Sequence, residues 1–172
     1  MFPKKIKTSF ALLGFVWILS MVACAKTETY PPEPEITDIK FDKEIIKSAH
    51  LSSGTPEAFV LSIEFKDGDG DIGQTDAHPE TNLFVTDDRN QNTTEYAIPY
   101  DLESSGINKS ISGTIDVNVL QQCCVPLQGI PCSPSATYAP TDTLTYTIVL
   151  KDRAGNISNT FQSPPLYLIC IE

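Results

Sequence analysis

Three segments of the chain alternate apolar and polar residues with a period of two. They run over Phe59–Lys66, Ile111–Val119 and Leu144–Lys151. A β-strand with one buried and one solvated face has this period, because successive side chains point to opposite faces of the sheet. The chain offers little helical pattern beyond a short turn within Asp42–Ala49. The sequence therefore predicts an all-β fold.

Weaker strand patterns raise the expected number of strands to about seven, separated by clusters of Gly, Pro, Asn and Asp. These patterns cover Ile36–Asp42, Asn82–Asp88, Glu95–Tyr100 and Asn159–Ile171. The pair Pro164-Pro165 interrupts the last one, which predicts an edge or a switch between sheets, since proline cannot donate to the ladder. Such a succession of short strands is typical of an antiparallel β-sandwich, here over residues 36–172.

The N-terminal 23 residues have the pattern of an export signal. Lysines precede an apolar run from Phe10 to Leu19, which is too short for a bilayer span of ~20 residues. The following Met21-Val22-Ala23-Cys24 resembles the cleavage motif of bacterial lipoproteins. The resemblance implies cleavage before Cys24 and several acyl chains on that residue, which together anchor firmly where a single chain would not. The alternative is ordinary secretion with Cys24 as a free thiol.

Residues 24–35 are predicted to be the lipidated cysteine and a tether. Pro31, Pro32 and Pro34 favour an extended, polyproline-type chain with a reach of roughly 30 Å. The tether carries no basic cluster that would add an electrostatic contact with the membrane.

The charge of the exported part argues against nucleic-acid binding. The whole chain has a net charge of −10, and residues 1–23 contain three lysines and no acid, so that their removal leaves −13. Nucleic acids and anionic bilayer surfaces both require an excess of Lys and Arg. No nucleic-acid partner is expected.

Two loop sequences carry a resemblance to a known class. The runs Phe65–Gly73 and Leu150–Ser158 look like loops of immunoglobulin-like domains in surface proteins, and the second resembles the turn before the final strand of bacterial repeats of that class. Together with the signal, the chain resembles small lipoproteins of the Bacteroidetes type. The resemblance implies a single immunoglobulin-like sandwich at the outer membrane, facing the periplasm or the surface, and it implies no catalytic residues.

An acidic loop is the sharpest candidate for chemistry. Alternating carboxylates, with glycines that let the chain curl, can converge oxygen ligands on Ca²⁺. The candidate ligands are Asp67, Asp69 and Asp71, with Asp76, Asp152 or Asn156 completing the shell. The EF-hand pattern does not fit, because its sixth and twelfth positions hold Ile72 and His78. The alternative is an acidic turn between strands.

Four cysteines remain after Cys24, an even number in an exported chain, which predicts two disulfides. Three pairings are possible, of which the vicinal one is strained. Strand alternation places Cys123 on the face of Val117 and Val119, which favours Cys123–Cys170 with Cys124–Cys132. Adjacent cysteines do not have the spacing of a tetrahedral zinc site.

Asp142-Thr143-Leu144 resembles the acceptor triplet for O-glycosylation in Bacteroidetes-type exported proteins, with Thr143 as the modified residue. The alternative is simply the beginning of a strand.

No residue set in the chain identifies a reaction, so an enzyme is not expected. We expect a lipid-anchored interaction or structural domain of the cell envelope, whose loops bind another envelope protein or a glycan, with Ca²⁺ as a stabilising ion. The alternative function is a carbohydrate-binding module of a surface glycan-uptake system, with Tyr96, Tyr100 and Tyr138 as an aromatic patch.

Overall fold

The computed structural model describes residues 30–51, 58–99, 110–120 and 122–171 of the chain. Its regular structure is β-strand except for one turn of 3-10 helix at Ala49–Leu51, so the all-β prediction is confirmed. The described residues form ten strands: β1 (Glu35–Phe41), β2 (Ile45–Lys47), β3 (Phe59–Asp67), β4 (Leu83–Asp87), β5 (Asn92–Tyr96), β6 (Ile111–Val119), β7 (Thr141–Leu144), β8 (Tyr146–Leu150), β9 (Phe161–Gln162) and β10 (Leu166–Ile169).

The strands are arranged in three sheets. In the first sheet β3 lies between β1 and β6 and is antiparallel to both. In the second sheet β10 lies between β7, which is antiparallel to it, and β2, which is parallel. The third sheet has the order β5-β4-β8-β9 and is antiparallel throughout. The immunoglobulin-like arrangement of about seven strands stays a prediction.

Period-two alternation places the core as the sequence predicts. In β3 the residues Phe59, Leu61, Ile63 and Phe65 are buried while the residues between them are half-exposed. The inward residues of the other two strong patterns join the same core, which includes Ile115, Val117, Val119, Leu144, Tyr146, Ile148 and Leu150. Burial of such side chains contributes ~1.5–3 kcal/mol each, which is the main stabilisation of a fold of this kind.

Two of the predicted strands change sheets. The Leu144–Lys151 pattern reads as one strand, but the chain leaves the second sheet after Leu144 and begins β8 of the third sheet at Tyr146. The interruption at Pro164-Pro165 separates β9 of the third sheet from β10 of the second. The predicted strand switch at these prolines is confirmed.

The last residues of the predicted tether pack against the domain. Pro34 is buried, and β1 begins at Glu35, which pairs with Lys66 near the end of β3. The chain therefore reaches the domain at the end that also carries the loop after Asp67. The opposite end of the first sheet holds Phe59 paired with Val119.

The two predicted disulfides are present, but the favoured pairing is wrong. Cys123 bonds to Cys132 and Cys124 bonds to Cys170. The alternation of β6 ends at Val119, so it does not determine which cysteine points inward. The backbone N–H of Cys124 donates to Ser48 Oγ at 3.0 Å, and the Cys124 and Cys170 side chains are buried. Disulfides indicate an oxidising environment outside the cytoplasm.

Candidate metal site

The first loop of the candidate site begins where β3 ends. Asp67 continues the inward phase of β3 and has no exposed surface, so strand alternation carries a carboxylate into the interior. Gly70 and Gly73 have φ of 70° and 105°, a left-handed conformation that glycine adopts without strain. They allow the loop to fold back, and the Asp71 N–H donates to Asp67 Oδ2 at 2.8 Å.

The second loop follows β8 and carries Asp152, which is 5% exposed. Its carboxylate is held by Asn156, whose backbone N–H and side-chain Nδ2 donate to the two oxygens at 2.7 Å each. The two loops are linked directly, because the Ala154 N–H donates to Asp71 Oδ2 at 2.9 Å and Arg153 Nη1 donates to the Gly73 carbonyl at 3.1 Å. These contacts fix the position of one loop relative to the other.

Four carboxylates converge between these loops. Asp67, Asp69, Asp71 and Asp152 each place one oxygen within 4.8 Å of the others. Within the described part of the chain, Oδ1 of Asp67, Asp69 and Asp71 is buried and has no hydrogen-bond partner. Buried polar atoms in proteins are nearly always paired, so three unpartnered acceptors in one place point to a positively charged ligand.

The pKa values show the repulsion within the cluster. Burial raises the pKa of the Asp67 carboxyl from 3.8 to about 6, and the charges of Asp69 and Asp71 add to the effect. Burial also raises the pKa of the Asp71 carboxyl to about 6, with contributions from Asp152 and Asp69. Burial and the neighbouring negative charges therefore disfavour the ionised form of both carboxyls. A bound cation would favour that form instead.

The geometry of the cluster fits calcium. All four candidate ligands are carboxylate oxygens, which suit hard cations such as Ca²⁺ and Mg²⁺. Oxygens on opposite sides of one Ca²⁺ lie ~4.6–5.2 Å apart, because each Ca–O distance is ~2.3–2.6 Å, whereas Mg²⁺ requires ~4.0–4.2 Å and strict octahedral geometry. The four oxygens lie within 4.8 Å of one another, which is close enough for them to share one cation such as Ca²⁺.

The structure replaces one predicted ligand. Asp76 is exposed in a turn closed by hydrogen bonds between Thr75 and His78, at 3.0 and 3.1 Å, and it does not belong to the cluster. Of the three residues that the sequence offers to complete the shell, it is Asp152 that joins the cluster, while Asp76 is exposed at the surface.

The other predicted site residues lie away from the cluster. Thr143 is exposed on β7, at the edge of the second sheet, and its glycosylation stays a prediction. Cys24 and Tyr100 are outside the described residues. Tyr138 is buried and stacks on the His50 ring with centroids 4.1 Å apart, so its face is not available to a sugar.

Sequence reasoning missed two ion pairs that Arg89 makes at the β4–β5 turn. Arg89 donates to both oxygens of Asp87 at 2.8–3.0 Å and to Asp142 Oδ2 at 2.6 Å, and its side chain is only 11% exposed. A single base within an acidic region is the one sequence signal that points to them. Arg89 binds both oxygens of Asp87, which lines the groove described below.

The sequence matches no known protein-family model, no curated protein and no solved structure. Within the described ranges, no helix is long and apolar enough to cross a membrane.

Proposed function

We propose that this protein is a lipid-anchored domain of the bacterial cell envelope that binds Ca²⁺ between its two acidic loops and contacts another envelope protein or a glycan. The observation that supports calcium binding is the convergence of three buried, unpartnered carboxylate oxygens on a fourth carboxylate from a separate loop. An immunoglobulin-like sandwich would serve as the rigid body that carries these loops.

Calcium would stabilise the domain by cancelling a concentrated negative charge. Three of the four cluster residues have an oxygen with no other partner, and Asp152 is oriented by Asn156. Ligand oxygens that are already gathered lose little conformational entropy on binding the ion. The ion would therefore connect the loops after β3 and β8 and hold one end of the fold together.

The position of the cluster connects it with the tether. An added Cβ on Gly68 would lie 2.1 Å from the Pro31 carbonyl oxygen, so the tether runs directly over the acidic loop. Ser110 Oγ donates to the Gly68 carbonyl at 3.1 Å and accepts from the Tyr30 N–H at 3.3 Å. An ion that orders the loop would also fix the direction in which the domain leaves its anchor.

The anchor and the location rest on the sequence together with the disulfides. The basic, apolar and Cys24-containing N-terminal pattern supports lipidation, and two cystines support an oxidising compartment. Loops on a rigid scaffold are the usual place for contacts with partners, which supports an interaction role.

Thermal unfolding of the exported domain in EDTA, in 5 mM CaCl₂ and in 5 mM MgCl₂ tests calcium binding. We expect Ca²⁺ to raise the free energy of unfolding by ~2.7 kcal/mol when its concentration is a hundred times the Kd, and Mg²⁺ to raise it by less. Asp69→Asn removes one of the unpartnered oxygens and should lose the response to Ca²⁺. Asp76→Asn is the matched control and should keep it. Equal melting of the wild-type domain in EDTA and in Ca²⁺ would contradict the proposal.

A further inference from the structure

A groove of about 550 Å³ opens between the third sheet and the end of β6. Its volume lies within the ~300–1,000 Å³ typical of small-molecule sites. One wall is the inner face of β5, where alternation presents Asn92, Thr94 and Tyr96 together. Asn118 and Gln122 line it from the side of β6.

On the other face of β5, the side chains of Thr93 and Glu95 already have hydrogen-bond partners. Thr93 and Thr86 hydroxyls lie 2.8 Å apart, and Glu95 accepts from Thr81 at 2.6 Å. Among the described residues, the side chains of Asn92, Thr94 and Asn118 have no such partner. The wall therefore offers amide and hydroxyl groups that can both donate and accept.

Tyr146 lines the groove, and within the part of the chain that the structure describes its hydroxyl has no hydrogen-bond partner. Tyr146 is 3% exposed, and its Oη is buried with no hydrogen-bond partner among the described residues. Its ring packs edge-on against Phe41, with centroids 6.3 Å apart, so the ring is held in place. An unpartnered buried hydroxyl lowers the stability of the free protein, and a ligand that pairs with it removes this cost.

Among the described residues that line the groove, none offers an unpaired charge to an ion. Asp87 is its charged lining residue, and Arg89 binds both oxygens of that carboxylate. Burial raises the pKa of the Tyr146 hydroxyl, and the Asp87 charge adds to the effect, so that the hydroxyl stays protonated. Burial raises the pKa of Tyr96 as well. Neutral amides, neutral hydroxyls and an aromatic face remain.

We propose that this groove binds a neutral saccharide unit of a glycan, with a sugar hydroxyl paired to Tyr146 Oη and a sugar face packed on Tyr96. Amides on both rims match the hydroxyl groups of a sugar ring, and an aromatic ring matches its apolar C–H face. The lack of an unpaired charge disfavours anionic and cationic ligands. This inference rests on the proposed function because it assigns the partner as a glycan, but it does not require the calcium site.

A competing occupant is an extended peptide, because β5 and β6 are both at the edges of their sheets and can pair with an added strand. Backbone pairing of that kind would use the strand edges and would not depend on the Tyr146 hydroxyl. The two ligand classes therefore respond differently to a change at this one atom.

The test is binding of the exported domain to an array of neutral oligosaccharides, followed by titration calorimetry with the strongest array ligand. We expect Tyr146→Phe to weaken binding at least tenfold and to raise the melting temperature of the ligand-free protein, because it removes an unpaired buried hydroxyl. A merely structural role for the hydroxyl would give the opposite change in melting temperature. Tyr167→Phe, at an exposed tyrosine on β10, is the control and should bind as the wild type does.

Three results would overturn the inference: no array ligand bound at millimolar concentration, equal affinity for Tyr146→Phe and the wild type, or binding of a peptide library in place of sugars. The calcium response is measured on the same samples. A protein that responds to Ca²⁺ but binds no sugar would contradict the saccharide groove and not the calcium site. A protein that binds sugar but does not respond to Ca²⁺ would contradict the calcium site and not the saccharide groove.

Discussion

Replacing Asp67 by Asn should stabilise the protein without calcium and destabilise it relative to the wild type with calcium. Asp67 is fully buried, its Oδ1 has no partner, and three other carboxylates lie beside it. An Asn side chain keeps the acceptor for the Asp71 N–H, replaces the unpartnered oxygen by a donor and removes one charge. The substitution thus relieves the repulsion within the ion-free cluster while it removes a proposed calcium ligand.

The magnitude follows from the pKa of Asp67. Its folded-state pKa of about 6 exceeds the ordinary 3.8, so the folded protein holds this proton more tightly than the unfolded chain does. The resulting destabilisation is absent below pH ~4, grows as the pH rises, and is complete above pH ~6, where it amounts to about 3 kcal/mol. In EDTA at pH 7, the free energy of unfolding of Asp67→Asn should therefore exceed that of the wild type by about 1–3 kcal/mol.

Urea unfolding at pH 4 and pH 7, each in EDTA and in 5 mM CaCl₂, measures the effect. In EDTA, we expect the extra stability of Asp67→Asn over the wild type to become smaller at pH 4, because the wild-type carboxyl is largely protonated there. In calcium at pH 7, we expect the variant to be less stable than the wild type. Asp76→Asn is the control and should change stability by less than ~0.5 kcal/mol in every condition, as expected for an exposed position. A variant less stable than the wild type in EDTA at pH 7 would refute the reasoning.

Gly68→Ala should displace the tether, because the added Cβ would lie 2.1 Å from the Pro31 carbonyl oxygen. We expect the variant to be less stable by ~1–3 kcal/mol and to be cleaved faster by proteases before residue 35. Gly113→Ala, where the nearest atom is 3.6 Å away, is the control; equal cleavage of the two variants would contradict the tether contact. Metabolic labelling with an alkyne fatty acid should mark the wild-type protein and not Cys24→Ser, and an unlabelled wild type would exclude the lipid anchor.

The acidic cluster shows which candidate ligands a local sequence pattern can predict. Period-two alternation in β3 places Asp67 in the same buried phase as Phe65, and glycines in the loop permit the turn that brings Asp69 and Asp71 back. Those three candidate ligands can be predicted from the sequence. The fourth is not, because sequence alone cannot choose between Asp76, nine residues along the chain, and Asp152 in a loop after a strand of another sheet.

The cysteines show the limit of the same reasoning. Alternation predicts inward positions only while the strand continues, and β6 ends at Val119. Beyond that point, the contact of Cys124 with Ser48 and the docking of β10 decide which sulfur is buried.

The alternation of side chains, the proline interruption and the basic-apolar-cysteine N-terminus are local properties. They predict the inward faces of the main strands, one switch between sheets and the destination of the chain. The fourth carboxylate, the disulfide partners and the unpaired Tyr146 hydroxyl all depend on segments far apart in the sequence. Only the packing of the three sheets decides these, because it sets which loop ends meet and which polar atoms lose access to water.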